Sequence, residues 1–141
     1  MRYYLSLGSN VGNREQTLRE ALQYIGQRIG RIDRCSSFFY SEPWGFESEN
    51  GFCNLCCRVE TAMQPLEVLR ITQEIERELG RTHKSDPAHP EYQDRTIDID
   101  LIRVFDEAGE EILMSGSTLT LPHPLWEKRE FVKLPLEEIR G

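Results

Sequence analysis

Between Asp94 and Ile102 the chain alternates without a slip: Ile97, Ile99 and Leu101 fall on one parity and Thr96, Asp98 and Asp100 on the other. A period of two marks a strand with one buried face. The stretch therefore predicts a strand whose outer face carries two carboxylates. Residues 52–60 alternate in the same way, with Cys53, Leu55, Cys57 and Val59 opposed to Phe52, Asn54, Cys56 and Arg58. Residues 3–7 read as a first strand, and residues 35–41, rich in Ser, Phe and Tyr, as another that ends at Glu42-Pro43. Helical spacing replaces alternation at Leu18, Ala21, Leu22, Ile25 and Ile29, where Asn13 with Gln16 three residues later predicts an N-terminal cap. Pro65 opens a second helix with the stripe Leu66, Leu69, Thr72, Ile75 and Leu79, and Gly80 is its natural stop.

The connections complete the pattern. Residues 8–13 form a glycine-containing turn between strand and helix, read as a tight structural turn because it fits neither phosphate-binding glycine motif. Asp106-Glu107-Ala108-Gly109 turns the chain into a short return strand around Ile112 and Leu113, and residues 125–129 form a turn of helix shortly before the end. The order strand, helix, strand, strand, helix, strand predicts an α+β fold of the ferredoxin-like, split β-α-β kind. Two helices cover one face of its sheet, and a small C-terminal appendage follows. Residues 1–141 are expected to be one domain. The uncovered face would then gather Phe52, Asn54, Asp98 and Asp100. An aromatic plane beside an amide suits a heterocycle.

Two loops carry candidate chemistry. Residues 42–51 place Trp44 and Phe46 among turn formers and acids, either to close over a flat ligand or to tuck onto the core. Residues 81–94 form a long polar stretch with Arg81, His83, Lys84, His89 and Tyr92, followed by Arg95, and loops of such length are commonly functional. Cationic side chains there fit triphosphate binding.

Composition and charge narrow the classes. With 38% hydrophobic and 29% charged residues and no long apolar run, the chain reads as a soluble, cytoplasmic protein without a membrane partner. A net charge of −7 argues against a broad nucleic-acid face. The run Cys53-x-x-Cys56-Cys57 resembles a zinc spacing, but residues three apart on a strand point to opposite faces, so Cys53 and Cys57 are read as small core residues. The two aspartates are the sharper signal. Carboxylates at i and i+2 lie about 7 Å apart. They repel by roughly 0.6 kcal/mol in water and about 2 kcal/mol at an effective dielectric of 20. A partly enclosed pair needs a cation, and bound Mg²⁺ would supply it, although a solvated acidic face would produce the same short pattern.

The segments LSLGSN, SSFFYSEPWG, GFCNLCCRVET, DRTIDIDLI and LTLPHPLWEKREFV occur in this order, with a helix ending LGR between the third and fourth. Together they strongly resemble the 6-hydroxymethyl-7,8-dihydropterin pyrophosphokinases, over nearly the whole chain. The resemblance implies a ferredoxin-like enzyme of folate biosynthesis that transfers pyrophosphate from ATP to the pterin and releases AMP. It implies two Mg²⁺ ions on Asp98 and Asp100, and a pterin held by Phe52, Asn54 and Phe131 with Pro43, Trp44 and Gly45 alongside. It also implies an ATP side formed by Gln73, Glu76, Arg81, His83, Tyr92, Arg95, Thr120, His123 and Arg129. Arg81 and Arg95 would stabilise charge at the reacting phosphorus, and a monomer is expected. Three positions depart from the family pattern: Phe52 where tyrosine is frequent, and His83 and Thr118 where arginines are. A different metal-dependent nucleotidyl- or phosphotransferase would release pyrophosphate or ADP. A mere binding module would not need Arg81, Arg95, Asp98 and Asp100 together.

Overall fold

The computed structural model describes residues 1–10, 13–41, 51–81 and 97–140, with backbone only at Ser41 and Arg81. In chain order the elements are β1 (Arg2–Ser9), α1 (Arg14–Arg28), β2 (Arg31–Cys35), β3 (Phe39–Ser41), β4 (Phe52–Glu60), α2 (Pro65–Arg81), β5 (Asp98–Phe105), β6 (Met114–Ser115), β7 (Thr120–Leu121), a 3-10 turn (Trp126–Lys128) and α3 (Glu130–Ile139). The main sheet is antiparallel in the order β2-β4-β1-β5, with β3 also paired to β4. This is the expected split β-α-β arrangement. α1 begins where expected, its Asn13 side chain accepting the Gln16 N–H at 3.1 Å.

One face of the sheet is the main core. Tyr3, Leu5 and Leu7 of β1, Cys53, Leu55, Cys57 and Val59 of β4, and Ile99, Leu101 and Val104 of β5 pack with Leu18, Ala21 and Ile25 of α1 and Val68, Ile75 and Leu79 of α2. Each fully buried aliphatic side chain contributes about 1.5–3 kcal/mol. The step from Leu101 to Val104 breaks parity. Leu5 pairs with Leu101 but Tyr4 pairs with Arg103, so Ile102 is an inserted bulge residue. Ile102 keeps to the face of Asp98 and Asp100, Arg103 opposite Tyr4 joins it there, and Val104 returns to the main core.

The opposite face is not left open as expected. α3 lays Val132, Leu136 and Ile139 against Cys56 and Ile102, forming a second core edged by Tyr4, Trp126 and Phe131. Arg34 donates to the Ile139 carbonyl at 3.3 Å, and the Ser37 amide and hydroxyl donate to the Glu138 carboxylate. The predicted appendage is thus a ten-residue helix; Pro135 inside it obscured the helical spacing in the sequence.

Other boundaries also differ. The strand expected over residues 35–41 is two strands. Between them Ser36 donates its N–H to the Cys56 carbonyl and accepts the Cys56 N–H on its hydroxyl, so a side chain replaces one rung of the ladder. β2 starts earlier, at Arg31, because its charged residues find partners: Arg31 with Glu60, and Asp33 with Arg58 at 2.6–3.2 Å. β1 runs on through Gly8 and Ser9, which were expected in a turn, and α2 passes Gly80. The return onto β5 near Ile112 is a single bridge, Phe105 with Glu111, and the short strand that follows, Met114–Ser115, pairs with β7 instead. The Asp106–Gly109 turn forms as expected, with Gly109 at φ +83° and the Asp106 side chain accepting two backbone N–H groups. The outer edge of β5 is covered: Glu76 accepts the Ile99 N–H, His123 N–H donates to the Ile102 carbonyl, and Ile112 N–H to the Val104 carbonyl.

Leu136→Ala should cost about 2–4 kcal/mol in urea denaturation if α3 is integral to the fold. A change below 0.5 kcal/mol would mean that its packing is dispensable. The Asp33–Arg58 pair, 15% and 8% exposed, gives a pH signature. Hydrogen bonds from Arg58 hold the Asp33 carboxyl below its ordinary 3.8. Its stabilisation is therefore complete above the unfolded value and lost as pH falls through the lower native one. Asp33→Asn should cost about 3 kcal/mol at pH 7, and the deficit should shrink below about pH 4. A deficit independent of pH would contradict this.

Candidate active site

Strand register brings the chemistry together in two rows. In the first, Asn54 of β4 and Asp98 of β5 flank Gly8 of β1; in the second, Cys56 and Asp100 flank Ser6. With strands about 4.8 Å apart, Asn54 and Asp98 are separated by roughly 10 Å of backbone floor. Phe52 follows Asn54 on the same face by parity. These residues share the face that α3 partly covers; α3 packs on the second row, where the Cys56 thiol donates to the Val132 carbonyl at 3.6 Å.

Gly8 explains how the floor is kept low. A Cβ there would stand 2.7 Å from Asn54 Oδ1 and 3.8 Å from Phe52 Cδ1, so the carboxamide and the ring edge lie over bare backbone. Asn54 is buried, Phe52 and Asp98 are half-buried, and Asp100 is exposed. Glu76 reaches from α2 to the amide of Ile99, the residue between the two aspartates, at 3.0 Å. At the other edge of the acidic pair, burial lowers the His123 pKa below 6.5, opposed by the nearby Asp100 charge and reinforced by Arg129. His123 is therefore neutral near pH 7. Its Nδ1 accepts the Leu125 N–H at 3.2 Å, which leaves the proton on Nε2. Arg129 lies 5.9 Å from the centre of the Phe131 ring. Asn10, just past β1, is buried, and among the described residues its Oδ1 finds no hydrogen-bond partner.

Of the residues picked out from the sequence, Phe52, Asn54, Asp98 and Asp100 meet on one face. His123 and Arg129 flank them, Phe131 opens α3 beside Arg129, Gln73 and Thr120 are exposed on α2 and β7, and Arg81 ends α2. Pro43, Trp44, Gly45, His83, Tyr92 and Arg95 lie outside the described residues. Sequence reasoning missed the roles of Gly8 and Ser6, although both share the even parity of Tyr4. It also did not foresee Glu76 capping the β5 edge. The cysteines fall as read: Cys53 and Cys57 in the main core, and Cys56 on the other side, its thiol pushed up to about 12 by burial.

The donor set fits Mg²⁺. Among the described residues no three His, Cys, Asp or Glu side chains converge on one point. Two carboxylates on a partly open face, completed by phosphate oxygens and water, are the arrangement that ion commonly takes.

Fold and site thus define a ferredoxin-like α+β domain that sets two carboxylates beside an aromatic and amide face. The family model for 7,8-dihydro-6-hydroxymethylpterin-pyrophosphokinase matches residues 4–141. A 2-amino-4-hydroxy-6-hydroxymethyldihydropteridine pyrophosphokinase of Porphyromonas gingivalis is 43% identical over 96% of this chain and 88% of its own length. Proteins of the same name from Bacillus subtilis and Aquifex aeolicus are 36% and 34% identical, each over 96% of this chain and over 76% and 78% of their own lengths. The crystal structure of an HPPK-DHPS in complex with substrates superposes with a TM-score of 0.63 at 15% identity, over 98% of this chain and 40% of that one, a likeness of fold. The chain belongs to the 7,8-dihydro-6-hydroxymethylpterin-pyrophosphokinase family.

Gly8→Ala tests the floor. The added methyl should push the Asn54 carboxamide aside and shift its side-chain NH₂ resonances in a ¹⁵N spectrum, at a stability cost of about 1–3 kcal/mol. Unmoved Asn54 resonances would refute the contact.

Proposed function

We infer that this protein is an ATP-dependent pyrophosphokinase that transfers the β,γ-pyrophosphoryl group of ATP to 6-hydroxymethyl-7,8-dihydropterin, releasing AMP, in folate biosynthesis. The observation that carries this reading is the row Asn54-Gly8-Asp98, which sets the Asn54 carboxamide and the Asp98 carboxylate on one floor in a chain whose residues 4–141 match the family. Phe52 and Phe131 sandwich the pterin ring, Asn54 hydrogen-bonds its polar edge, and Pro43, Trp44 and Gly45 pack alongside. Gln73, Glu76, His83, Tyr92, Thr120 and Arg129 line the ATP side, where neutral His123 offers its Nε2–H to a phosphate oxygen. Two Mg²⁺ ions held by Asp98 and Asp100 would neutralise phosphate charge. Arg81 and Arg95 stabilise the charge that develops as the pterin hydroxyl oxygen bonds to the β-phosphorus and the bond to the α-phosphate oxygen breaks. No side chain serves as an obvious general base; positioning and electrostatics suffice for this class of transfer.

The enzyme works as a cytoplasmic monomer, with residues 1–141 as one domain. In support, the β5 edge is capped rather than open to a second copy, and among the described residues no helix is long and apolar enough to cross a membrane.

Incubation with ATP, Mg²⁺ and the pterin should yield AMP only when the pterin is present; ADP or no turnover would overturn the assignment. Asp98→Ala should lower the rate by about 100-fold or more while far-UV circular dichroism is unchanged. AMP formed at the parental rate would remove Asp98 from the metal site.

A further inference from the structure

The first turn of α1 holds the start of β4 from the helix side of the sheet. Arg14 Nη1 donates to the Gly51 carbonyl at 2.7 Å, across 37 residues of sequence. The same guanidinium lies 5.5 Å from the centre of the Tyr40 ring, and the Tyr40 hydroxyl donates to Glu15 Oε1 at 2.9 Å. Tyr40 in turn pairs with Cys53 across β3 and β4. Two consecutive residues of one helix thus grip both strands of a hairpin. A backbone N–H hydrogen bond and then the bond from Tyr40 hold the Glu15 carboxyl below its ordinary range, and the bond to Glu15 holds the tyrosine above its own.

The carbonyl that Arg14 holds belongs to the peptide group joining Gly51 to Phe52. That group is planar, so holding its oxygen also holds the Phe52 nitrogen and Cα, the point from which the Phe52 side chain leaves the strand. Phe52 departs on the opposite face, where its ring edge approaches Gly8. A charge-assisted hydrogen bond on the helix side thereby sets an aromatic ring on the ligand side.

We propose that Arg14 is a positioning residue for the pterin subsite, acting through the Gly51 carbonyl on Phe52. This rests on the reading of Phe52 and Asn54 as the pterin face. Arg14 itself touches neither substrate, so its loss alters how well the pterin stacks and leaves the phosphate chemistry alone.

The test compares Arg14→Met, Arg14→Lys, Phe52→Ala and the Arg14→Met/Phe52→Ala double variant by steady-state kinetics, below each protein's thermal midpoint. Arg14→Met should raise the pterin KM about tenfold, with the ATP KM and kcat within about twofold of the parent. Arg14→Lys, which can still donate to the carbonyl, should recover most of that loss. The double variant should be no worse for the pterin than Phe52→Ala alone, since the arginine acts through that ring. An unchanged pterin KM in Arg14→Met, a parallel rise in both KM values, or additive losses in the double variant would overturn the proposal. If Phe52→Ala itself leaves the pterin KM unchanged, the pterin-face reading fails and the proposal falls with it. If Phe52→Ala raises that KM and Arg14→Met does not, only the role of Arg14 is refuted.

Discussion

Everything in this protein hangs on β1 being hydrogen-bonded on both sides. It is the one strand paired to both β4 and β5, and its register with each decides which residues of those strands stand abreast. Asn54 and Asp98 lie 44 positions apart in sequence, yet they stand opposite the same glycine. A slip of one residue on either side would turn every side chain of that strand to the other face and dissolve the site together with the core. The buried parity on β1, Tyr3, Leu5 and Leu7, prevents that slip. Burial on one face therefore fixes the position of polar groups on the other.

Much of this was legible in the sequence, and the exceptions share a cause. β4 and β5 announce themselves because their alternation is undisturbed near the site, and α1 and α2 because their apolar stripes are long. What escaped notice depends on partners distant in the chain. β2 is a run of charged residues that looks like solvent-facing coil until Arg58 and Glu60 are placed beside it. Ser36 looks like strand but serves as a spacer. α3 shows only Val132, Leu136 and Ile139 around a proline, and becomes a helix by packing on Cys56 and Ile102. Site residues followed the same rule: the carboxylates, the asparagine and the phenylalanine stand out by type, whereas Gly8 matters for what it lacks.

The second core links stability to the site. α3 carries Phe131 in its first turn and buries Val132 beside it, so the helix that builds the second core also carries the ring proposed to stack on the pterin. The Ile102 bulge allows this. Ahead of it β5 presents two carboxylates on the face of Asn54; at the bulge Ile102 packs against α3, and beyond it Val104 returns to the main core. One inserted residue lets a single strand serve an open site and two hydrophobic layers.

The bare backbone at Gly8 also bears on inhibition. A compound that rests on this floor meets main-chain atoms, which keep their identity whatever residue is encoded, and any side chain introduced at that position collides with Asn54 before it reaches the compound. Resistance by substitution at position 8 would thus disturb a side chain on which the natural ligand is proposed to depend. Escape from such a compound must come from the walls of the site, and chemistry that draws its affinity from the floor leaves the fewest routes to it.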